Sequence, residues 1–256
     1  MGVRELFELN GKVALITGGS RGLGLQIAKG LADMGAQVAL SARKAHELDA
    51  AQAEFKQLGA DAFTVVNDLS KEGQASALVD AVVAHYGKID ILVNNAGATW
   101  GANAEDHSLD GWNKVMTLNA TSVFALSQAV AKRCFIPQRS GNIIVIASTA
   151  ALRAGMAMKA AAYYSSKAAA LHLTRALAAE WGAYNIRVNA ICPGFFPSKM
   201  ASGLLETIGA EVIARTPLGR LGGDTDLQGA AVYLASEASR HVTGQYIAID
   251  GGASAT

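Results

Sequence analysis

The chain has 256 residues, and its 22 Lys and Arg against 21 Asp and Glu leave a formal charge of +1, too even for the basic stripe of a generic nucleic-acid binder. With 51% hydrophobic and 17% charged residues, it can bury a sizeable core and does not read as a disordered chain. Cys134 and Cys192 are too few for a disulfide framework and the five histidines lack metal-ligand spacing, so neither a stapled scaffold nor a metal centre is expected.

At the N-terminus, Arg4, Glu5 and Glu8 stand where a secretion signal needs its apolar stretch. Strands are predicted over Val13–Thr17, Gln37–Ser41, Ala62–Val66, Asp90–Val93, Asn142–Ala147, Arg187–Ile191 and Tyr246–Ile249, each a short apolar run rich in β-branched residues. Helices alternate with them over Leu23–Met34, Ala45–Leu58, Lys71–Tyr86, Leu109–Phe135, Ala160–Gly182 and Asp224–Ser236. The longest run free of Asp, Glu, Lys and Arg, from Val115 to Ala131, contains Asn119, Ser122 and Gln128 and is shorter than the roughly 20 apolar residues of a bilayer span. A soluble, cytoplasmic protein with no membrane or nucleic-acid partner is expected. No linker divides the chain, so residues 1–256 read as a single α/β domain, a doubly wound Rossmann-like parallel sheet with ligand outside the carboxyl ends of its strands.

The first predicted strand runs into Gly18-Gly19-Ser20-Arg21-Gly22-Leu23-Gly24 and then a helix. Gly18 can take the positive φ of a tight turn, Gly22 lets backbone approach a pyrophosphate, and the helix start offers free N–H groups to phosphate. The spacing is G-x-x-x-G-x-G, a departure from the G-x-G-x-x-G fingerprint. A tight turn without ligand satisfies the same residues. After the second strand comes Ser41-Ala42-Arg43-Lys44, where an NAD-selecting site would carry a carboxylate for the ribose 2′-hydroxyl. Arg43 and Arg21 instead suit a 2′-phosphate, which points to NADP. Asp68, beside Leu69 after the third strand, is equally an acceptor for an adenine amino group and a cap for the helix expected from Lys71.

Taken in order, Thr17–Gly24, Asn94-Asn95-Ala96-Gly97, Asn119, Ser148, Tyr163-x-x-x-Lys167 and Pro193-Gly194 resemble the short-chain dehydrogenase/reductase family over essentially the whole chain. The resemblance implies a seven-stranded fold, an NAD(P) cofactor and carbonyl/alcohol chemistry. It also implies that Asn95, Ala96 and Gly97 line the ribose side of the cofactor, that Ser198 contacts the carboxamide, and that Pro193, Gly194 and Phe196 belong to the same wall. Asn94 reads as structural or cofactor-contacting.

Tyr163 and Lys167 are four apart, which on a helix puts them on one face about 6 Å apart along the axis. A nearby ammonium and a cationic nicotinamide are expected to favour the phenolate over the ordinary pKa of about 10. Tyr163 then exchanges a proton with the substrate oxygen, Ser148 donates a hydrogen bond to that oxygen, and Lys167 holds the ribose. Asn119, by resemblance, positions a water linking Lys167 to solvent. Tyr164 lacks a lysine four residues on, and Thr149 beside Ser148 can bond backbone.

The segment 194–217, including Lys199–Pro217 with Gly203 and Gly209, reads as a mobile lid or a static helix pair. Trp100, Arg153, Met156, Met158 and Phe195 are candidates for pocket wall or for plain packing. Residues Thr99–Ala102 and Phe195–Ser198 with Met200 resemble a subgroup of gluconate 5-dehydrogenase-like and 3-ketoacyl reductase-like enzymes, which leaves a polyol acid and a ketoacyl thioester both open as small-molecule substrates. A non-catalytic NADP-binding regulator is the alternative from another class. The family habit implies a homo-oligomer, dimer or tetramer, through helices Leu109–Phe135 and Ala160–Gly182.

Overall fold

The computed structural model describes residues 2–155, 158–199 and 202–255. Seven parallel strands, β1 (Val13–Thr17), β2 (Gln37–Ala42), β3 (Ala62–Val66), β4 (Ile91–Asn94), β5 (Gly141–Ile146), β6 (Ile186–Pro193) and β7 (Tyr246–Ile249), form one sheet in the order β3-β2-β1-β4-β5-β6-β7. Every residue of β1 and β4 is buried, because helices cover both faces and leave no wet side to alternate with. The helices are α1 (Gly22–Asp33), α2 (Ala45–Gln57), α3 (Gln74–Tyr86), α4 (Leu109–Met116), α5 (Ser122–Val130), α6 (Ile136–Gln138), α7 (Ala161–Trp181), α8 (Ser202–Arg215) and α9 (Gln228–Ala235).

Two apolar layers hold the sheet. One packs Ile27 and Leu31 of α1 and Leu227–Ala235 against one face, and the other packs Leu126, Val130 and Leu177 against the opposite face. The chain moves outward from β1 through β2 to β3, then returns to β4 on the other side of β1. Adjacent loops therefore diverge at the carboxyl ends of β1 and β4 and open a crevice there, the usual place for a ligand in such sheets.

The long helix expected over Leu109–Phe135 is four-residue-periodic only in part. Two wider π turns, Thr117–Thr121 and Ala131–Phe135, interrupt it, and the first brings Asn119 inward to a buried position. The predicted helix from Lys71 starts only at Gln74, after Gly73 in the left-handed region. Asp68 does not cap it: its Oδ1 accepts from the Ser70 N–H at 3.1 Å and the Ser70 hydroxyl at 2.7 Å, a local turn one step earlier. The segment read as a lid carries α8, whose Ile208, Glu211, Val212 and Arg215 fall on one face at helical spacing.

Candidate functional site

The glycine turn is built by the strand ends beside it. Thr17, the last residue of β1, accepts on its hydroxyl from the N–H groups of Asn95 and Ala96, both at 3.0 Å. Asn95 returns the bond, its amide donating to the carbonyls of Thr17 at 2.8 Å and Gly18 at 3.1 Å. Gly18 has φ +62° and Gly22 φ +55°, conformations that side chains disfavour. A Cβ on Gly24 would stand 2.4 Å from the Gly18 carbonyl oxygen, so glycine is required for α1 to close on the turn. Asn94 donates to the Ser127 hydroxyl at 3.0 Å in the interior.

From this turn a cleft of about 790 Å³ runs across the carboxyl ends of the strands. Gly18, Ser20, Arg21, Gly22, Leu23, Arg43, Asp68, Leu69, Asn95, Ala96, Gly97, Ser148, Tyr163, Lys167, Pro193, Gly194, Phe196 and Ser198 all line it. Asn119 does not. Its amide donates to the Ala98 carbonyl and the Ser166 hydroxyl, each at 2.9 Å, and its carbonyl accepts from the Ala98 N–H at 2.8 Å. Ser166 in turn donates to the Tyr163 carbonyl at 2.9 Å, so Asn119 ties the first π turn to the backbone of α7 at Tyr163. A Cβ on Gly97 would lie 3.2 Å from Asn119 Oδ1 and 3.7 Å from Lys167 Nζ; Gly97 separates the two.

Lys167 is buried, with its ammonium donating to the Ile146 carbonyl at 2.8 Å and lying 5.8 Å from the centre of the Tyr163 ring. Burial pushes its pKa down to about 8. Burial pushes the Tyr163 phenol up, against the lowering effect of a hydrogen bond with Ser148. The acidified phenol is expected with the nicotinamide bound; in the protein alone burial decides the direction. Desolvation of the charged form outweighs the Ser148 hydrogen bond, while the Lys167 ammonium stays 5.8 Å from the ring centre and spends a hydrogen bond on Ile146. The Tyr164 hydroxyl both donates to the Gly155 carbonyl at 3.0 Å and accepts from the Gly155 N–H at 3.2 Å.

At the far end of the cleft, where Arg43 lies near Asp68, Arg21 and Lys44 pair with Glu47, a residue of α2 that the sequence did not single out. Its only signal was an acidic residue in the first turn of a helix, a common position with a dipole explanation of its own. Thr17, the latch of the turn, opens the motif Thr17–Gly24 with nothing in its spacing to show that role. Arg153, Met158 and Phe195 line the opposite end. Trp100 does not; it packs on Gly111 and carries Lys114 Nζ at 5.2 Å from its ring centre. Met156 and Met200 lie outside the described residues. Among the exposed or partly buried histidines, His172 and His241 face solvent and His107 sits edge-on to Trp112.

The donor set fits a phosphorylated dinucleotide. Arg21 gives α1 no side-chain cap, leaving the first amides of a 12-residue helix turned to the cleft beside an open Gly22, whose absent Cβ would meet nothing within 4 Å. Among the described residues, no group of three or more His, Cys, Asp or Glu could hold a metal ion, and no helix is long and apolar enough to cross a membrane.

Comparison with known proteins agrees with this geometry. The family model described as enoyl-(acyl carrier protein) reductase matches residues 18–254. The gluconate 5-dehydrogenase of Gluconobacter oxydans is 40% identical over 252 residues, covering 97% of this chain and 96% of that one. A 3-oxoacyl-[acyl-carrier-protein] reductase of rhamnolipid biosynthesis from Pseudomonas aeruginosa is also 40% identical, over 96% of this chain and 97% of its own. The crystal structure of a gluconate 5-dehydrogenase from Burkholderia cenocepacia in complex with NADP and tartrate superimposes with a TM-score of 0.94 at 36% identity, covering 100% of both chains.

Proposed function

The chain belongs to the short-chain dehydrogenase/reductase family of oxidoreductases, and from that premise we propose that it interconverts a ketone and a secondary alcohol with NADP(H), using Tyr163 as acid and base. The observation that carries this reading is the meeting of Ser148, Tyr163 and Lys167 on the wall of the same cleft that begins at the glycine turn and the Arg21–Arg43 cluster. The turn amides and Arg21, Arg43 and Lys44 would hold the phosphates, with Asn95 to Gly97 along the ribose side and Pro193, Gly194, Phe196 and Ser198 opposite. When bound, the nicotinamide supplies or takes up hydride.

The protein's own part is proton control and orientation. A phenol kept protonated by burial is the right state to give its proton to a carbonyl oxygen, so the free cleft is set for reduction at neutral pH. Ser148, already paired with that phenol, donates to the same oxygen as negative charge develops there. Lys167, in its charged form, lies on the phenol's side and stabilises the phenolate left behind. Asn119 anchors the π turn and α7 so that these groups keep their spacing.

For the substrate, Arg153 with the hydroxyl-bearing Thr99, Thr149 and Ser198 on the cleft wall favours a small hydroxy acid of the sugar-acid type. The apolar face of Met158, Phe195, Ile208 and Val212 in the same wall supports a 3-ketoacyl thioester as the second reading. A reducing, cytoplasmic setting suits Cys134 and Cys192, both free thiols. Purified protein assayed by NADPH absorbance against keto-sugar acids, ketoacyl thioesters and cyclic ketones is expected to turn over one of the first two classes. In Tyr163→Phe that turnover should fall by about 10²–10⁴ while NADPH binding stays within about twofold. Full turnover in the variant would refute the mechanism, and tight NADPH binding with silence across the panel would favour a non-catalytic regulator.

A further inference from the structure

Glu47 is anomalous where it stands. The end of the cleft that would receive a 2′-phosphate is cationic, with Arg21 from the glycine turn and Arg43 and Lys44 from the end of β2, yet a carboxylate pairs with Arg21 and Lys44 there and feels Lys199 as well. Glu47 Oε1 lies 3.2 Å from Arg21 Nη1 and 3.5 Å from Lys44 Nζ, and its other oxygen accepts from the Ser20 hydroxyl at 3.4 Å. The side chain is only 17% exposed, against 49% and 50% for its two cationic partners. It is thus held in the cluster while the cations reach outward.

Resting on the NADP reading above, we infer that Glu47 is a specificity-setting residue: an internal anion that competes with the cofactor's 2′-phosphate for Arg21 and Lys44 and so limits the preference for NADPH over NADH. The charges decide the sign. A 2′-phosphate brings up to two negative charges to a site where one is already fixed, so every cation it gains must be shared with or withdrawn from Glu47, and the two anions repel. NADH has only a hydroxyl at that position; it neither needs Arg21 nor suffers from the carboxylate, which remains an available acceptor. The ion pairs themselves are partly exposed and cheap to separate, so Glu47 tempers phosphate binding without closing the site.

The test is cofactor binding, read by nucleotide fluorescence and independent of turnover. Glu47→Gln keeps the size of the side chain and removes its charge. It should tighten NADPH by about five- to tenfold, in keeping with one removed like charge at partly screened distance, and leave NADH within about twofold. The gain should shrink as salt rises. Glu47→Ala, checked for native circular dichroism, should move NADPH in the same direction. Unchanged or weakened NADPH binding in both variants, with wild type binding normally, would overturn the inference and make Glu47 a mere support for Arg21; equal tightening of NADH would do the same. A wild-type protein that takes neither nucleotide would overturn both this inference and the NADP reading beneath it.

Discussion

Lys167 carries the cost of its position. An ammonium enclosed by protein, with the Ile146 carbonyl as its hydrogen-bond acceptor, loses hydration that one neutral partner does not replace. Its pKa of about 8, against an ordinary 10.5, means that the unfolded chain binds the proton more tightly. Between those two values the unfolded state holds more protons, so this group's contribution to stability improves as pH rises. Its penalty is complete below pH 8, where it amounts to roughly 3 kcal/mol. Wild type should therefore gain about 2 kcal/mol between pH 7 and 9.5 relative to Lys167→Met, measured as the difference of urea unfolding free energies. The variant should lose turnover without losing stability at pH 7. Tyr163 predicts a matching asymmetry in catalysis. Since burial holds the phenol above its ordinary range, alcohol oxidation, which needs the base form, should rise with pH through the alkaline range, whereas ketone reduction should be flat near neutrality and fall only at high pH. Paired initial-rate profiles in the two directions check this, and coincident profiles would show that another group limits the rate.

At the scale of elements, the join between β1, the glycine turn and the loop after β4 rests on two side chains, the Asn95 amide and the Thr17 hydroxyl. Thr17 Oγ1 accepts two backbone N–H groups in the interior. Thr17→Val preserves shape and orphans both, which should cost about 2–4 kcal/mol of unfolding free energy, as buried donors without partners do, and weaken NADPH binding through the displaced Asn95–Gly97 backbone. Denaturant unfolding and nucleotide titration on the same sample test the pair of effects. This latch was invisible in sequence because a threonine closing a strand has the β propensity that already explains it. The strands themselves were legible. Val13–Thr17, Ala62–Val66 and Tyr246–Ile249 match to the residue: the first is a fully buried apolar run, and the two partly exposed edge strands keep the β-branched and aromatic residues that suit a strand. Most of the candidate site was legible too, because glycines at a turn and Tyr163 and Lys167 one helical turn apart leave fixed spacings. What escaped depends on geometry that periodicity cannot encode. A π turn adds one residue to a helix whose apolar pattern continues, so Asn119 read as mid-helix; Asp68 found its partner in Ser70, two residues on, before any helix began.

The sheet's own needs do not account for everything its helices present. On the flank formed by α5 and α7, Leu126, Val130, Ala170 and Leu177 turn inward and complete the apolar layer. The same two helices keep a second groove outside, lined by Phe124, Ile136, Leu173 and Trp181 between Lys132 and Glu180. Phe124 is 42% exposed there, although the layer beneath it is already filled. Under a two-fold axis a groove rimmed by both signs of charge can face its own copy, with Lys132 of one opposite Glu180 of the other. We expect these helices to pair between copies of the chain, and that pairing to stiffen α7, the element that holds Tyr163 and Lys167. Phe124→Glu would place a charge in the middle of the joint, where desolvating it costs far more than the lost ring contacts. Sedimentation velocity at micromolar concentration should show wild type as a dimer or larger and the variant shifted at least tenfold toward smaller species, about 1.4 kcal/mol or more in association free energy. Turnover should fall less than assembly, because no cleft residue is touched. A wild-type monomer at that concentration, or a variant that assembles normally, would assign the groove to some other surface role and leave α7 to depend on its own packing alone.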